Sequence, residues 1–227
     1  KLRQDYSEVD KNINSLKEEY KKVEKDIQHS KLKLNEFNSK LNIYIDMEKH
    51  YEGFNKGVKE VLKNKSLDGI YGALGQVISS SKEYEKALEA SLGSYMQNII
   101  TKDENSAKLA INYLKKNNLG RVTFLPLNII KSNKIDKSSI KSNTKYIGIA
   151  SELVKFDNKY KNIIENILGR TIVISNMDEA IKFARETNHR YKVVTLDGEI
   201  LNPGGALTGG TIRTNGNILS RKRLIEE

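Results

Sequence analysis

Apolar residues recur along the first part of the chain at alternating steps of four and three residues. The seam that they form has one polar member, and neither Pro nor Gly occurs before Gly53. The seam positions are Leu2, Tyr6, Val9, Ile13, Leu16, Tyr20, Val23, Ile27, Ser30, Leu34, Phe37, Leu41 and Tyr44. About six such heptads are typical of a coiled coil, and they predict a helical rod on the order of 65 Å long. Because that length outreaches a compact domain, we assign residues 1–60 to a coiled-coil arm rather than to a helix lying on its own domain.

A second helix is predicted at the other end of the chain. The segment 217–227 follows Gly216, and Ile218, Leu224 and Ile225 would begin its apolar face. We assign residues 215–227 to the start of a returning coiled-coil helix. If both helices leave one globular body together, they pair antiparallel, and much of the longer seam finds no partner within this chain.

The region between these helices contains an internal repeat. Tyr84 stands eight residues before Leu92-Gly93, as Tyr160 stands eight residues before Leu168-Gly169. A short apolar strand, a helix-like stretch and a second strand then follow in both copies, at 98–101, 107–114 and 121–125 and at 171–174, 180–184 and 191–196. This self-similarity predicts two lobes of similar plan, which we place at 61–127 and 147–214. The predicted fold class is mixed α/β (α+β).

The connector between the lobes, residues 128–146, is rich in Ser, Asn and Lys, and Asp136 is its one acidic residue. This composition predicts an exposed, basic linker. A loop that is solvated and binds no ligand is an equally open interpretation of the same residues.

Four glycines lie within the run Pro203-Gly204-Gly205-Ala206-Leu207-Thr208-Gly209-Gly210-Thr211. A flexible loop, a phosphate-binding loop, and a strand pair whose bare backbone admits another strand or subunit could each use this composition. A P-loop requires G-x-x-x-x-G-K-[ST] at the start of a helix, and neither this motif nor G-x-G-x-x-G is present. We therefore favour the strand pair and keep a nucleotide-binding enzyme domain as the alternative.

Charge is unevenly distributed along the chain. The net charge is +10, and residues 1–60 carry thirteen basic and twelve acidic side chains, against twenty-six and seventeen in the remainder. A basic excess confined to the globular part favours a polyanionic partner such as DNA.

Other chemistry is scarce in this sequence. The chain has no Cys and three His, and its His and carboxylate residues do not show the spacing of a catalytic triad or a metal site. No apolar run approaches the roughly 20 residues that span a bilayer. We predict a cytoplasmic, non-enzymatic fragment with no cofactor, no metal ion and no membrane contact.

Taken together, the lobe motifs resemble the hinge of structural maintenance of chromosomes (SMC) proteins, especially the bacterial type. The resemblance extends over roughly residues 66–220. It rests on Gly69-Ile70-Tyr71-Gly72, Tyr84, Ala87-Leu88, Leu92-Gly93, Asn98-Ile99-Ile100, Gly120-Arg121-Val122-Thr123-Phe124-Leu125-Pro126-Leu127, Gly148, Ala150, Leu153-Val154, Tyr160, Leu168-Gly169-Arg170, Val194-Thr195-Leu196-Asp197-Gly198 and Thr208-Gly209-Gly210. It implies a hinge that pairs with a second, identical hinge and joins two coiled-coil arms. A scaffold of an unrelated coiled-coil family would share the arm but not the paired lobe motifs.

The resemblance also implies roles for particular residues. The residues implied at the dimer interface are Gly204, Gly205, Leu207, Thr208, Gly209 and Gly210. The resemblance also implies contacts with DNA near the junction of hinge and arm. The residues implied there are Arg213, Arg221, Lys222 and Arg223. The full-length protein would carry ATPase heads at the far ends of its arms. It would act in chromosome condensation and segregation on the nucleoid, with accessory condensin subunits.

Overall fold

A computed structural model describes residues 2–210 and 218–226 and divides the chain into two compact units, residues 1–49 and residues 50–227. The first unit is one helix, α1 (Leu2–Lys49), and none of its described residues is buried. Its 48 residues, at about 1.5 Å each, extend over about 72 Å. The long helix predicted from the heptads is confirmed, although it ends at Lys49 rather than at residue 60.

The second unit contains two lobes, each built around a small sheet. Lobe I consists of α2 (Lys56–Lys63), β1 (Ile70–Ala73), α3 (Leu74–Val77), β2 (Ile78–Ser80), α4 (Glu85–Leu92), β3 (Ile99–Thr101), α5 (Glu104–Lys116) and β4 (Phe124–Pro126). Its sheet has the order β1-β3-β4, in which β1 is antiparallel and β4 parallel to β3. The helix that connects the two parallel strands, α5, begins where the Asp103 side chain accepts a hydrogen bond from the Ser106 amide.

Lobe II repeats this order and extends it. It consists of β5 (Gly148–Ile149), β6 (Val154–Phe156), α6 (Lys161–Leu168), β7 (Thr171–Ile174), α7 (Met177–Glu186), β8 (Lys192–Thr195), β9 (Ile200–Leu201) and β10 (Leu207–Thr208), and α8 (Ile218–Glu226) follows it. Its sheet order is β10-β9-β8-β7-β5, with β7 and β8 parallel. At the start of α7, the Asn176 side chain accepts a hydrogen bond from the Glu179 amide, as Asp103 does for α5.

The repeat begins earlier in each lobe than the sequence pattern indicated. β1, α3 and β2 correspond to β5, the 3₁₀ turn Ala150–Glu152 and β6. An equivalent hydrogen bond forms in each of the two segments. Gln76 Oε1 accepts from the Ala73 amide at 3.1 Å, and Glu152 Oε2 accepts from the Ile149 amide at 3.5 Å. β2 and β6 pair antiparallel with each other. An approximate two-fold axis therefore relates the lobes.

One hydrophobic core joins the two lobes. Its buried side chains include Leu88 and Ile100 from lobe I and Ile164 from lobe II. Across the same boundary, Lys192 Nζ of β8 donates to the Ser91 carbonyl near the end of α4, at 2.9 Å. The two lobes thus pack against each other and form a single body.

Lobe I has a further cluster on its outer helix, α5. Val58 and Val61 of α2 pack there with Ala110 and Leu114. Residues 56–60, which the sequence assigned to the arm, therefore belong to lobe I.

The segment 128–146, called the strap below, covers the outer helix of lobe II. Ile135 is buried in a cluster with Phe183 of α7, and its amide donates to the Gly169 carbonyl at 2.9 Å. Thr144 is buried as well. The predicted exposed linker is corrected accordingly. Many of its side chains face solvent, but its backbone is packed on lobe II.

Candidate functional site

The glycine run folds into a hairpin of β9 and β10 at the edge of the lobe II sheet. The Asn202 amide donates to the Ala206 carbonyl at 2.8 Å, and the Gly204 amide donates to the His189 carbonyl at 3.1 Å. Gly204 and Gly205 have φ angles of 85° and 99°, which favour glycine, and they form the turn. Through residue 210 the run is therefore a strand pair, and it does not open a helix as a P-loop does.

The outer strand of this hairpin, β10, has an open backbone edge. In an antiparallel ladder, hydrogen-bonded pairs alternate with pairs whose N–H and C=O groups point away from each other. Because Asn202 bonds to Ala206, the next pair, Leu201 and Leu207, is of the second kind. The backbone groups of Leu207 thus face away from β9, and its side chain is 58% exposed. Such an edge is a template for pairing with another strand.

The glycines predicted at the dimer interface differ in what they tolerate. Gly204, Gly205 and Gly210 have positive φ angles, so any side chain there strains the backbone. A Cβ on Gly209 meets no such strain, and its nearest neighbour, Glu199 Cγ, would be 3.8 Å away. Gly209 is therefore the position at which bulk can be added without disturbing the hairpin itself.

Lobe I has an open edge at the corresponding place. β8 lies between β7 and β9, whereas its counterpart β4 bonds to β3 on one side and, among the described residues, to no strand on the other. The Ile99 amide donates to the Thr123 carbonyl, so the backbone groups of Phe124 point outward. Pro126 occupies the next outward position. Its missing N–H costs no hydrogen bond to β3, because a residue at this position points away from β3. The sequence analysis missed this edge, although a proline within a strand signals one.

Two of the basic residues predicted to contact DNA instead donate to backbone carbonyls within the chain. Arg221 is 3% exposed and donates to the Glu52 carbonyl at 2.9 Å. Lys222 Nζ donates to the carbonyls of Gln76 and Ile78, at 3.0 and 3.3 Å. Both charged groups thus bond to backbone carbonyls that lie outside α8.

Arg223 completes this set. Its guanidinium donates to the Glu85 carboxylate of α4 at 2.5 and 3.4 Å, and both side chains are largely buried. Gly75 lets α8 lie close, since a Cβ there would be 3.1 Å from Ile218 Cγ2. Internal partners thus engage the charges of residues 221–223 and anchor α8 on lobe I, which argues against contacts with DNA there, and that role stays a prediction. Arg213 lies outside the described residues.

The turn that precedes α2 is tied to the same place. Gln97 Nε2 donates to the Gly53 carbonyl, and Gln97 Oε1 accepts from the Asn55 amide, both at 2.9 Å. With the bond from Arg221 to Glu52, these contacts fasten the turn to lobe I and to α8. Sequence reasoning missed Gln97, because a side chain that bonds to backbone groups leaves no pattern in the sequence.

A carboxylate pins the strap to α7. Glu186 Oε2 accepts hydrogen bonds from the Ser142 hydroxyl, the Asn143 amide, and the amide and hydroxyl of Thr144, at 2.5 to 3.1 Å. The Ser142 hydroxyl and then the Thr144 amide, as the largest causes, lower the pKa of Glu186 to about 2. This carboxylate therefore stays ionised, and it holds the strap at any pH near neutrality.

Sites of other kinds were also sought in residues 2–210 and 218–226. No three His, Asp or Glu side chains in these ranges are arranged to hold a metal ion. Within the same ranges, no helix combines the length and the apolar character needed to cross a bilayer.

Comparisons with known sequences identify the family. Residues 67–184 match the family described as SMC proteins Flexible Hinge Domain. The Chromosome partition protein Smc of Bacillus subtilis is 38% identical over 98% of this chain, and that of Clostridium kluyveri is 41% identical over 85%. Only 19% and 17% of those proteins are covered, so the chain spans about a fifth of the length of these relatives.

Solved structures show the same fold. The hinge domain of Geobacillus stearothermophilus SMC, crystallised as an asymmetric dimer, is 40% identical with a TM-score of 0.77, over 85% of this chain and 79% of that one. The Pyrococcus furiosus Smc hinge domain with an extended coiled coil is 29% identical with a TM-score of 0.60, over 99% of this chain and 80% of that one. The predicted two-lobed fold with a long helix is confirmed. Since the family match also covers more than half of its residues, the chain belongs to the SMC hinge family.

Proposed function

We propose that this chain is the dimerisation hinge of a chromosome partition protein and that it pairs with a second copy of itself through β10. The observation that carries the proposal is the outward-facing backbone of Leu207 at the open end of the lobe II sheet. The related hinge of G. stearothermophilus forms a dimer, which supports the same kind of association here.

The open edge of β4 is the complementary surface in this proposal. Each copy offers a donor strand on lobe II and a vacant strand position on lobe I, so a two-fold axis between two chains lets both contacts form at once. Backbone hydrogen bonds set the register, and Leu207 and Phe124 contribute apolar burial. The bare backbone at Gly209 and Gly210 permits the partner to approach closely.

A charge placed on the β10 edge tests the dimer. Leu207→Lys changes the proposed interface, and Leu109→Lys makes the same change at a leucine of α5 that is equally exposed, at 57%. We expect the unaltered chain and Leu109→Lys to sediment as dimers, and Leu207→Lys to sediment as a folded monomer. An unchanged dimer dissociation constant for Leu207→Lys in analytical ultracentrifugation would contradict the assignment of β10.

Gly209→Leu tests the close approach separately. Because this position has no strained φ angle, the hairpin should keep its shape and only the partner strand should be displaced. The expected result is a weakened dimer with an unchanged thermal midpoint of the monomer. A dimer as tight as that of the unaltered chain would remove the glycine run from the interface.

In the full-length protein, we infer that this hinge joins two coiled-coil arms. The α1 seam would pair with the continuation of α8, and ATPase heads at the far ends of the arms would supply hydrolysis that the hinge lacks. The name of the relatives, chromosome partition protein, supports a role on the nucleoid in the cytoplasm, together with accessory condensin subunits. The nucleotide-binding alternative is not favoured, so ATP with Mg²⁺ should leave the melting temperature of this chain unchanged.

Binding to the DNA backbone is a second proposed function. It is favoured by the excess of twenty-six basic over seventeen acidic residues beyond residue 60. Since the residues at 221–223 are engaged internally, other exposed Lys and Arg side chains would make the contacts. Affinity for a short duplex should fall steeply between 50 and 200 mM salt and should not depend on base sequence. Absence of binding at 50 mM salt would refute this function.

A further inference from the structure

We propose that DNA is bound on lobe II by a surface that the strap and α7 build together, called the strap face and formed by Lys141, Lys145, Lys182 and Arg185. This inference rests on the proposed DNA binding and gives it a location. All four side chains are exposed. None of them forms an ion pair with any residue in the described part of the chain.

Glu186 brings these four cations together. It bonds to residues 142–144, so Lys141 and Lys145 flank the attached segment on either side. Lys182 precedes Glu186 by one helical turn, about 6 Å along the axis, and Arg185 is its direct neighbour. The negative charge of Glu186 offsets one of the four cations, and Asp178 and Glu179 lie on the first turn of the same helix, before Lys182.

The strap holds its lysines on a fixed backbone. Asn166 of α6 donates to the Lys131 carbonyl at 2.9 Å, the buried Ile135 follows, and Glu186 fastens the far end. A rigid backbone with mobile ammonium groups suits a phosphate backbone, because the path of the charges is set before binding and each side chain can still adjust.

Not every lysine of the strap is available for this purpose. Lys134 and Lys137 form ion pairs with Glu152, at 2.8 and 2.9 Å. Burial opposes ionisation of Glu152, but the hydrogen bonds from these two lysines outweigh it and lower the pKa of Glu152. Of the five strap lysines, Lys134 and Lys137 are thus engaged within the fold, whereas Lys131, Lys141 and Lys145 form no such ion pair in the described part of the chain.

Lobe I has no cation at the positions that correspond to Lys182 and Arg185, although its helix α5 carries lysines elsewhere. When α5 and α7 are aligned on their capping residues, Leu109 and Asn112 take the places of Lys182 and Arg185. The helix α2 also lies where the strap lies on lobe II. The four cations of the strap face are thus specific to lobe II and do not belong to the repeated fold. Flexible Lys and Arg side chains of this kind suit contacts with phosphates.

Paired charge removal tests the location. Lys141→Gln with Lys145→Gln removes two charges from the strap face, and Lys115→Gln with Lys116→Gln removes two exposed charges from the end of α5. With a fluorescent mixed-sequence duplex, we expect the strap variant to bind on the order of tenfold more weakly at 0.1 M salt. We also expect the magnitude of its salt slope to fall by about 2. The α5 variant should stay close to the unaltered chain.

The outcomes separate this inference from the functions on which it rests. Equal losses in both variants, or no loss in the strap variant, would overturn the strap face while leaving DNA binding intact. Failure of the unaltered chain to bind the duplex would overturn both. Binding of phosphatidylglycerol vesicles, but not of DNA, that depends on Lys141 and Lys145 would assign the surface to a membrane and overturn the DNA partner. Unchanged melting and dimer mass of each variant confirm that its fold is intact.

Discussion

Lobe I and lobe II share an order of strands and helices but differ in what covers that framework. On lobe I, α2 packs on the outer helix and the sheet stops at β4. On lobe II, the strap packs on the outer helix and the sheet continues through β9 and β10. The repeated part builds the common core and includes β4 and α7, whereas β10 and the strap, which complete the candidate surfaces for a partner chain and for DNA, are not repeated.

Two glycines at corresponding positions of the lobes differ in backbone conformation and in surroundings. Gly93 and Gly169 both follow the helix that carries the repeat signature. Gly93 has a φ angle of 48° and open space around its missing side chain. At Gly169 the φ angle is ordinary, at −69°, but the strap backbone crosses directly over it. The same residue is thus required by conformation in lobe I and by space in lobe II.

The largest effect is expected at the anchor of α8, which only lobe I provides. Glu85 of α4 corresponds to the exposed Lys161 in α6, so lobe II has no equivalent of the ion pair with Arg223. Arg223→Ala leaves the Glu85 carboxylate buried without this partner, and we expect it to cost about 3–5 kcal/mol of unfolding free energy in urea. Replacement of both partners, Glu85→Leu with Arg223→Met, should recover most of that loss. A change of less than about 0.5 kcal/mol for Arg223→Ala would show that the pair does not anchor the helix.

The elements that the sequence predicted are those with long or repeated patterns. Heptads over some forty residues gave α1, and the repeated Tyr and Leu-Gly marks gave the helices and parallel strands of both lobes. The strands β2 and β6 are as short as β3 and β4, with three residues each, but they precede the Tyr marks and so fall outside the repeat that indicated the other strands. Residues 56–60 of α2 were assigned to the arm because α2 follows α1 after a short turn.

The candidate sites were less predictable, for a different reason. The glycine run was placed correctly in a strand pair, because four glycines in so short a segment demand a backbone explanation. Residues 221–223 were assigned to DNA from the family resemblance, but a resemblance in sequence does not tell which way a side chain points. Their partners are largely backbone carbonyls, which every residue has. The strap contains Ile135 and Ile140 at no regular spacing, so its packing against α7 left no periodic signal.

A smaller effect is expected from alanine at the two matched glycines, and it should differ in kind between the lobes. A Cβ on Gly169 would come closest to the Glu165 carbonyl oxygen of α6 and would lie 2.8 Å from the Asn133 carbonyl oxygen and 2.9 Å from Lys134 Cα, so both the last turn of α6 and the strap must shift. We expect Gly169→Ala to cost about 2–3 kcal/mol and to raise amide hydrogen exchange throughout the strap. Gly93→Ala should cost about 1–2 kcal/mol through backbone strain, with the strap still protected. Equal strap exchange in both variants would refute the two separate roles.

The smallest effect is expected at acid pH, where the strap of lobe II should loosen and α2 of lobe I should not. Glu186 is bonded to the strap and has a pKa of about 2, below its usual value of 4.5, so its stabilising bonds are complete above about pH 4.5 and are lost as the pH falls toward 2. Its counterpart in α5 is Tyr113, which has no carboxylate, and α2 should not respond. We expect the amide proton shifts of Asn143 and Thr144 to titrate with a midpoint near 2, and Glu186→Gln to abolish that titration. A midpoint near 4.5 would mean that the carboxylate does not hold the strap, and the difference between the covers of the two lobes would then rest on Ile135 and its packing alone.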